Sequence, residues 1–270
     1  MDSTAIVSPV RRLWLYLVGA AVMVYLVAPT LIVIPMSFSA SNTLTFPPKG
    51  FSLRWYVEFL SSPDWREATL ISLELATFTT VVATPLATAA AYALHVGQFR
   101  WAQVMRALLI GSAIVPVILF GVGAYFVYVT IGLVNTITGL VLADSVLTTP
   151  FALIAITAGL KTYDMSQEMV ARSLGASRLR AFWTVTFPQI RRSVFTGALF
   201  IFIGAFDEVI LATLLSSGSR ATLTNRMFAM LQTQIDPTIA AISTLMISIT
   251  MLPPLILYVV GLKRRRQPSS

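Results

Sequence analysis

The chain has no cysteine and a single histidine, His95. The first absence excludes disulfides, thiolate metal sites and cysteine nucleophiles. The second leaves no metal centre built from imidazoles. No G-x-x-x-x-G-K-[ST] run occurs, so no phosphate-cradling loop for a nucleotide is expected. Charge is scarce as well: 11% of residues are charged, against about 25% in ordinary soluble domains. What fills the space is apolar. Hydrophobic residues make up 56% of the 270, and mean hydropathy is +0.80. So apolar a chain cannot cover itself with polar surface, and its solvent must be largely lipid. The net charge of +8 reads as membrane topology. The aromatics fall in apolar runs and are not interleaved with the basic residues, so nucleic-acid binding is not expected.

Six apolar runs approach the ~20 residues needed to cross a bilayer. They lie near 13–36, 68–94, 107–130, 137–160, 194–215 and 239–262. Backbone groups in hydrocarbon must be bonded within their own segment, so the fold class is all-α, with six transmembrane helices. The first run is too long for a signal-peptide core, and Pro29 and Pro35 stand where a cleavage site would fall. It reads as a retained span. Pro29, Pro85, Pro116, Pro150 and the Pro253-Pro254 pair each remove a backbone donor and can kink their helices. Outside the spans, Phe51–Leu60 has the pattern of a short amphipathic helix at the interface, as a lipid anchor or a contact for an external partner.

Basic residues orient the spans. With the N-terminus inside, the inner segments hold Arg11, Arg12, Arg100, Arg106, Lys161, Arg172, Arg178, Arg180, Arg191, Arg192, Lys263, Arg264, Arg265 and Arg266. The outer segments hold only Lys49, Arg54, Arg66, Arg220 and Arg226. Both termini are therefore expected in the cytoplasm, together with the longest polar interruption, residues 161–192.

That interruption reads as two short helices. Ser166 is the expected N-cap of the first, over 166–174. Gly175-Ala176 makes the turn, glycine being the residue that most readily takes a left-handed C-cap. Ser177 is a second cap candidate. The next segment, 178–186, places Leu179, Phe182 and Trp183 at i, i+3, i+4, an apolar stripe, and Pro188 is expected to stop it. An apolar stripe with a basic face fits a cleft on another protein, or anionic lipid.

The same residues resemble the "EAA" loop of permease subunits of ATP-binding-cassette importers, E-A-A-x3-G-x9-I-x-L-P. Registered on Gly175, the pattern falls on Met169-Val170-Ala171, Gly175 and Val185-Thr186-Phe187-Pro188. Ala171, Gly175 and Pro188 are identical. Met169 stands where the family has Glu, with Glu168 one position earlier, about 100° away on a helix. Asn135-Thr136, residues 204–209 and residues 236–241 are similar to the spermidine/putrescine permease branch. The resemblance implies one permease domain over 1–270 in a bacterial inner membrane, with the EAA-type loop between helices 4 and 5. It implies a second permease subunit, expected to be a different chain, two cytoplasmic ATPase subunits and an external substrate-binding protein. ATP and Mg would be bound on the ATPase subunits, with no cofactor, metal or catalytic residue on this chain. The expected coupling residues are Ser166, Glu168, Met169, Ala171, Gly175, Ala176, Leu179, Phe182, Trp183 and Pro188.

Four acids fall inside the predicted spans: Glu74, Asp144, Asp207 and Glu208. A charge at mid-bilayer costs roughly 2.5–3.5 kcal/mol even on the lenient insertion scale. No Lys or Arg lies deep in the same spans to pair with them. They are read as a candidate path for a small cationic solute, with a polyamine leading; helix-end hydration is the plainer explanation, above all for Asp144 near an outer end. Glu74 heads a polar stripe with Thr77, Thr84 and Thr88, and Glu208 shares a face with Gly197 and Gly204. The alternative function is an ion-gradient-driven carrier of such a solute, which would leave the structured loop without a role. An enzyme built on Asp207 and Glu208 is disfavoured because adjacent helical residues point apart.

Overall fold

A computed structural model describes residues 9–97, 100–216, 221–233 and 236–249, with side chains from Leu13 onward. Nearly all of the described chain is helical. Successive helices are α1 (Pro9–Ser37), α2 (Arg54–Ser61), α3 (Pro63–Val96), α4 (Ala102–Gly111), α5 (Val117–Ile131), α6 (Ile137–Thr162), α7 (Ser166–Ser173) and α8 (Arg178–Ala181). A π-turn, Phe182–Thr186, leads into α9 (Phe187–Phe206), followed by α10 (Ile210–Leu215), α11 (Leu223–Thr233) and α12 (Thr238–Ile249). The described residues fall into two compact units, one of segments up to Arg66 and from Met230, the other Glu67–Ala229.

Among the described residues, three helices are long and apolar enough to cross a membrane: α1 from Leu13, α3 and α6. They cover the expected spans 13–36, 68–94 and 137–160. Pro29, Pro35, Pro85 and Pro150 lie inside them without ending them. The expected span 107–130 is instead two helices. Pro116 has no N–H, disfavours helical geometry at Val115, and begins α5 from an extended ψ of 126°. The expected span 194–215 is likewise divided, by residues 207–209 between α9 and α10. The expected span 239–262 is helical through Ile249 and then leaves the described residues, as does Pro253-Pro254.

In the first unit the chain after α1 folds back on itself. Ala40 N–H donates to Gly50 O (3.2 Å) and Ser52 N–H to Phe38 O (2.7 Å), making one antiparallel bridge between Ser39 and Phe51. The amphipathic helix read over Phe51–Leu60 is α2. Trp55 Nε1 donates to Ser39 O at 2.9 Å, and Tyr56 Oη lies 2.6 Å from Ser37 Oγ. Both aromatic tips thus find partners within the chain.

The second unit is organised on α6, which packs chiefly along α9. The seam is made of small residues. A Cβ on Gly197 would lie 3.2 Å from Ala152 Cβ, one on Gly204 would lie 3.0 Å from Thr148 Cγ2, and one on Gly159 would overlap Ser193. Close backbone approach of this kind is how helices associate where lipid removes the hydrophobic drive between them. On one side of the seam, Ala83, Ala87, Ala91 and Leu94 of α3 cluster with Leu153, Ile156 and Leu160 of α6 and Ile190 and Ile201 of α9. On the other, Leu75 clusters with Leu140, Val141, Leu147, Leu211 and Leu215.

Gly197→Val should therefore overpack the seam and destabilise the protein by about 1–3 kcal/mol. Thermal unfolding in detergent would show a lowered midpoint. Gly123→Ala, whose Cβ would meet nothing within 4 Å, should leave the midpoint unchanged.

Candidate functional site

The polar loop begins with a cap, but Ser166 does not supply it. Ser166 is the first residue of α7, and the side chain that receives the free backbone N–H belongs to Asp164. Asp164 Oδ1 accepts from Ser166 N at 3.0 Å, and Oδ2 accepts from Ser166 Oγ at 2.7 Å. These two bonds hold the exposed Asp164 carboxyl below its usual range. At the other end of α7 the expected glycine turn is present. Gly175 has φ +95°, its N–H donates to Arg172 O (3.0 Å), and Ala176 N–H reaches back to Ala171 O (3.1 Å). The last carbonyls of α7 are satisfied in this way. Ser177 caps α8 as expected, accepting from Arg180 N at 3.3 Å.

Pro188 does not end the second helix. After one turn of α8 the chain widens into the π-turn, in which Phe187 N–H reaches Phe182 O, five residues back. Pro188 then sits in the first turn of α9, where its missing N–H costs nothing. The widened turn also divides the expected stripe. Leu179 and Trp183 are exposed, whereas Phe182 turns inward, its ring centroid 4.8 Å from that of Tyr92 and 6.2 Å from that of Phe187.

Glu168, a charged residue type in a polar loop, is nonetheless buried, 1% exposed. Tyr92 Oη of α3 donates to its Oε1, and Thr186 Oγ1 of the π-turn to its Oε2, both at 2.5 Å. Tyr163 Oη lies 3.4 Å from Thr186 Oγ1. Met169, one residue later, points outward. With Val170, Leu174, Leu179 and Trp183 it gives the loop an exposed apolar face. Ala171 and Ala176 are half-buried at the turn. Val170, Leu174, Tyr92 and Thr186 are additions that the sequence does not announce. The first two look like ordinary helix filler, and the last two are 76 and 18 residues from the carboxylate they hold.

The acids of the spans fall in contrasting surroundings. Asp144 is not hydrated at a helix end. It is 1% exposed on α6, and neither carboxylate oxygen has a hydrogen-bond partner among the described residues. It lies on the stretch of α6 whose Leu140, Ala143 and Leu147 cluster with Leu211 and Leu215 of α10. Glu208 does not continue the Gly197–Gly204 face, because α9 ends at Phe206. Its carboxylate accepts from Ile210 N (3.0 Å), Leu211 N (2.6 Å) and Ala212 N (3.4 Å), the free donors at the start of α10. The helix break and the acid therefore have one cause: a carboxylate that competes for backbone N–H groups. Asp207 is exposed at the end of α9. Glu74 is exposed on α3, while its neighbour Leu75 is buried. The expected polar stripe on α3 is split, since Thr77 is exposed and Thr88 is buried, with its hydroxyl on Thr84 O at 2.7 Å. The structure thus packs the part of α6 that carries Asp144 against α10, the helix that Glu208 caps, and does not gather all four acids. Among the described residues no group of three or more His, Cys, Asp or Glu could hold a metal.

The chain is 26% identical over 245 residues to the putrescine transport system permease protein PotI of Escherichia coli (strain K12), covering 88% of this chain and 87% of that one. It is 26% identical over 227 residues to the spermidine/putrescine transport system permease protein PotC of Haemophilus influenzae, covering 84% and 88%. The fold is similar to that of a chain in the crystal structure of a bacterial alginate ABC transporter in complex with alginate pentasaccharide-bound periplasmic protein. The TM-score there is 0.70, with 14% identity over 94% of this chain and 95% of that one. Residues 28–266 match the family described as Binding-protein-dependent transport system inner membrane component. That match covers most of the chain, which therefore belongs to this family of ABC importer permeases of the inner membrane.

Proposed function

We propose that the chain is the permease subunit of an ATP-driven importer of a small cationic amine of the polyamine class, with Asp144 and Glu208 at the centre of the path. The observation that carries the substrate class is Asp144: a buried carboxylate with neither oxygen partnered among the described residues, on the stretch of α6 packed against the helix that Glu208 caps. Such a group is costly unless a cation or donor meets it. The putrescine and spermidine permeases among its relatives favour the same solute class. Asp207 and Glu74, both exposed, would lie at the margins of that path. The ion-driven carrier finds no support among these relatives.

In this reading both termini and residues 161–192 face the cytoplasm, as the basic residues favour. The divided segments α4–α5 and α9–α10 account for two further spans, and α12 covers the described part of the sixth. Met169, Val170, Leu174, Leu179 and Trp183 form the surface that an ATPase subunit grips. Gly175 sets the turn, and Ser166, Ala171, Ala176, Phe182 and Pro188 shape the loop behind it. A second permease subunit and an external substrate-binding protein complete the assembly. ATP and Mg belong to the ATPase subunits.

Asp144→Asn and Glu208→Gln should each lower uptake of labelled putrescine or spermidine about tenfold or more, while the chain still co-purifies with its partners. Glu74→Gln should have a smaller effect. Unchanged uptake in the first two would remove the acidic path. At the loop, added bulk at Gly175 meets no neighbour, so only its positive φ constrains substitution. Gly175→Val should abolish ATP-driven uptake, and Gly175→Asn, a residue that tolerates this backbone region, should retain a substantial part of it. Equal uptake by both variants would contradict the turn's role. Pull-down of the tagged chain from its native membrane in mild detergent should recover a nucleotide-binding subunit and a second permease.

A further inference from the structure

Glu168 is an acid in a loop that carries six basic residues, Lys161, Arg172, Arg178, Arg180, Arg191 and Arg192. It nevertheless turns away from the surface and is met by neutral hydroxyls. Each of its oxygens takes one hydroxyl, and the two hydroxyls come from different elements: Tyr92 from the last turns of the 34-residue α3, and Thr186 from the π-turn that opens α9. The surroundings fix both donors. The Tyr92 ring stacks edge-on against Phe182 at 4.8 Å, with the Arg178 guanidinium 5.9 Å from its centroid. Thr186 is fully buried. A buried carboxylate is stable only where its acceptor positions are filled, so α7 cannot lift away from α3 or from the π-turn without orphaning it. The neighbouring residues Met169 and Val170 are exposed on the same helical turn. Force applied to the outer face is therefore delivered, within one turn of helix, to a fixed three-way joint.

We infer that Glu168, Tyr92 and Thr186 are positioning residues that transmit movement of the loop into α3 and α9. This rests on the proposed coupling role of the loop and deepens it. In the family pattern a Glu stands at the position of Met169. Here the outward position is apolar and the carboxylate is directed inward, where it serves as a tie between helices.

The test uses the complete transporter, reconstituted with its ATPase subunits and binding protein, and measures both solute uptake and ATP hydrolysis. Tyr92→Phe and Thr186→Val each delete one hydroxyl without changing side-chain volume appreciably. Each should leave assembly and ATP hydrolysis near wild type and lower solute taken up per ATP at least about fivefold, given the strength of hydrogen bonds to a charged group. Combining Tyr92→Phe with Glu168→Gln should lower the ratio less than the two single effects multiplied, because both act on one joint. A merely structural role would lower the yield of assembled transporter and leave the ratio unchanged. An unaltered ratio in both Tyr92→Phe and Thr186→Val overturns the inference, even if Glu168→Gln fails to assemble. If the wild-type chain retains no ATPase subunit, the coupling reading itself falls.

Discussion

The close approach of α6 and α9 is the constraint on which both functional regions depend. Gly197 against Ala152 and Gly204 against Thr148 leave no room for a larger side chain at the seam. In a lipid environment, where apolar surface gains little from leaving solvent, such fit substitutes for hydrophobic drive. The seam has two ends. Toward the end of α9 it leads to the break at 207–209, where Glu208 caps α10, the helix packed against the stretch of α6 that carries Asp144. Toward the start of α9 it leads into the π-turn, where Thr186 holds Glu168 of α7. The acidic pair and the loop are therefore attached to opposite ends of one tightly packed helix pair.

The two ends use carboxylates in opposite ways. Glu208 and Glu168 have their acceptor positions occupied, one by backbone N–H groups and the other by hydroxyls. Asp144 has neither. Low dielectric strengthens satisfied groups and penalises unsatisfied ones. The first two acids thus stabilise the local geometry, whereas both oxygens of the third are without a partner among the described residues.

Long uniform periodicity was legible in the sequence, and interruptions were not. The helices α1, α3 and α6 follow directly from apolar runs of sufficient length, and the Gly175 turn and Ser177 cap follow from local residue chemistry. The break at 112–116 has a proline signal, but Pro29, Pro85 and Pro150 carry the same signal without breaking their helices. Neighbouring packing decides between these outcomes, and a single window does not contain it. The break at 207–209 has no such signal, because Asp207 and Glu208 have the same residue types whether an acid caps a helix or lies within a span. The π-turn leaves no pattern except the proline it accommodates. Burial of Glu168 depends on Tyr92, far away in the chain, so nothing in its own segment signals that the carboxylate turns inward.

The inward turn of Glu168 also bears on which motors this permease would accept. A cell often holds several related importers whose ATPase subunits resemble one another. A permease that offers a carboxylate at the position of Met169 suits a motor with a complementary cation in its cleft. Met169 and Val170 offer such a cation nothing, and burying it against them would leave it unpaired. If the loop seats on an ATPase subunit as proposed, the exposed apolar patch at Met169 and Val170 would favour a motor whose cleft is apolar at that point.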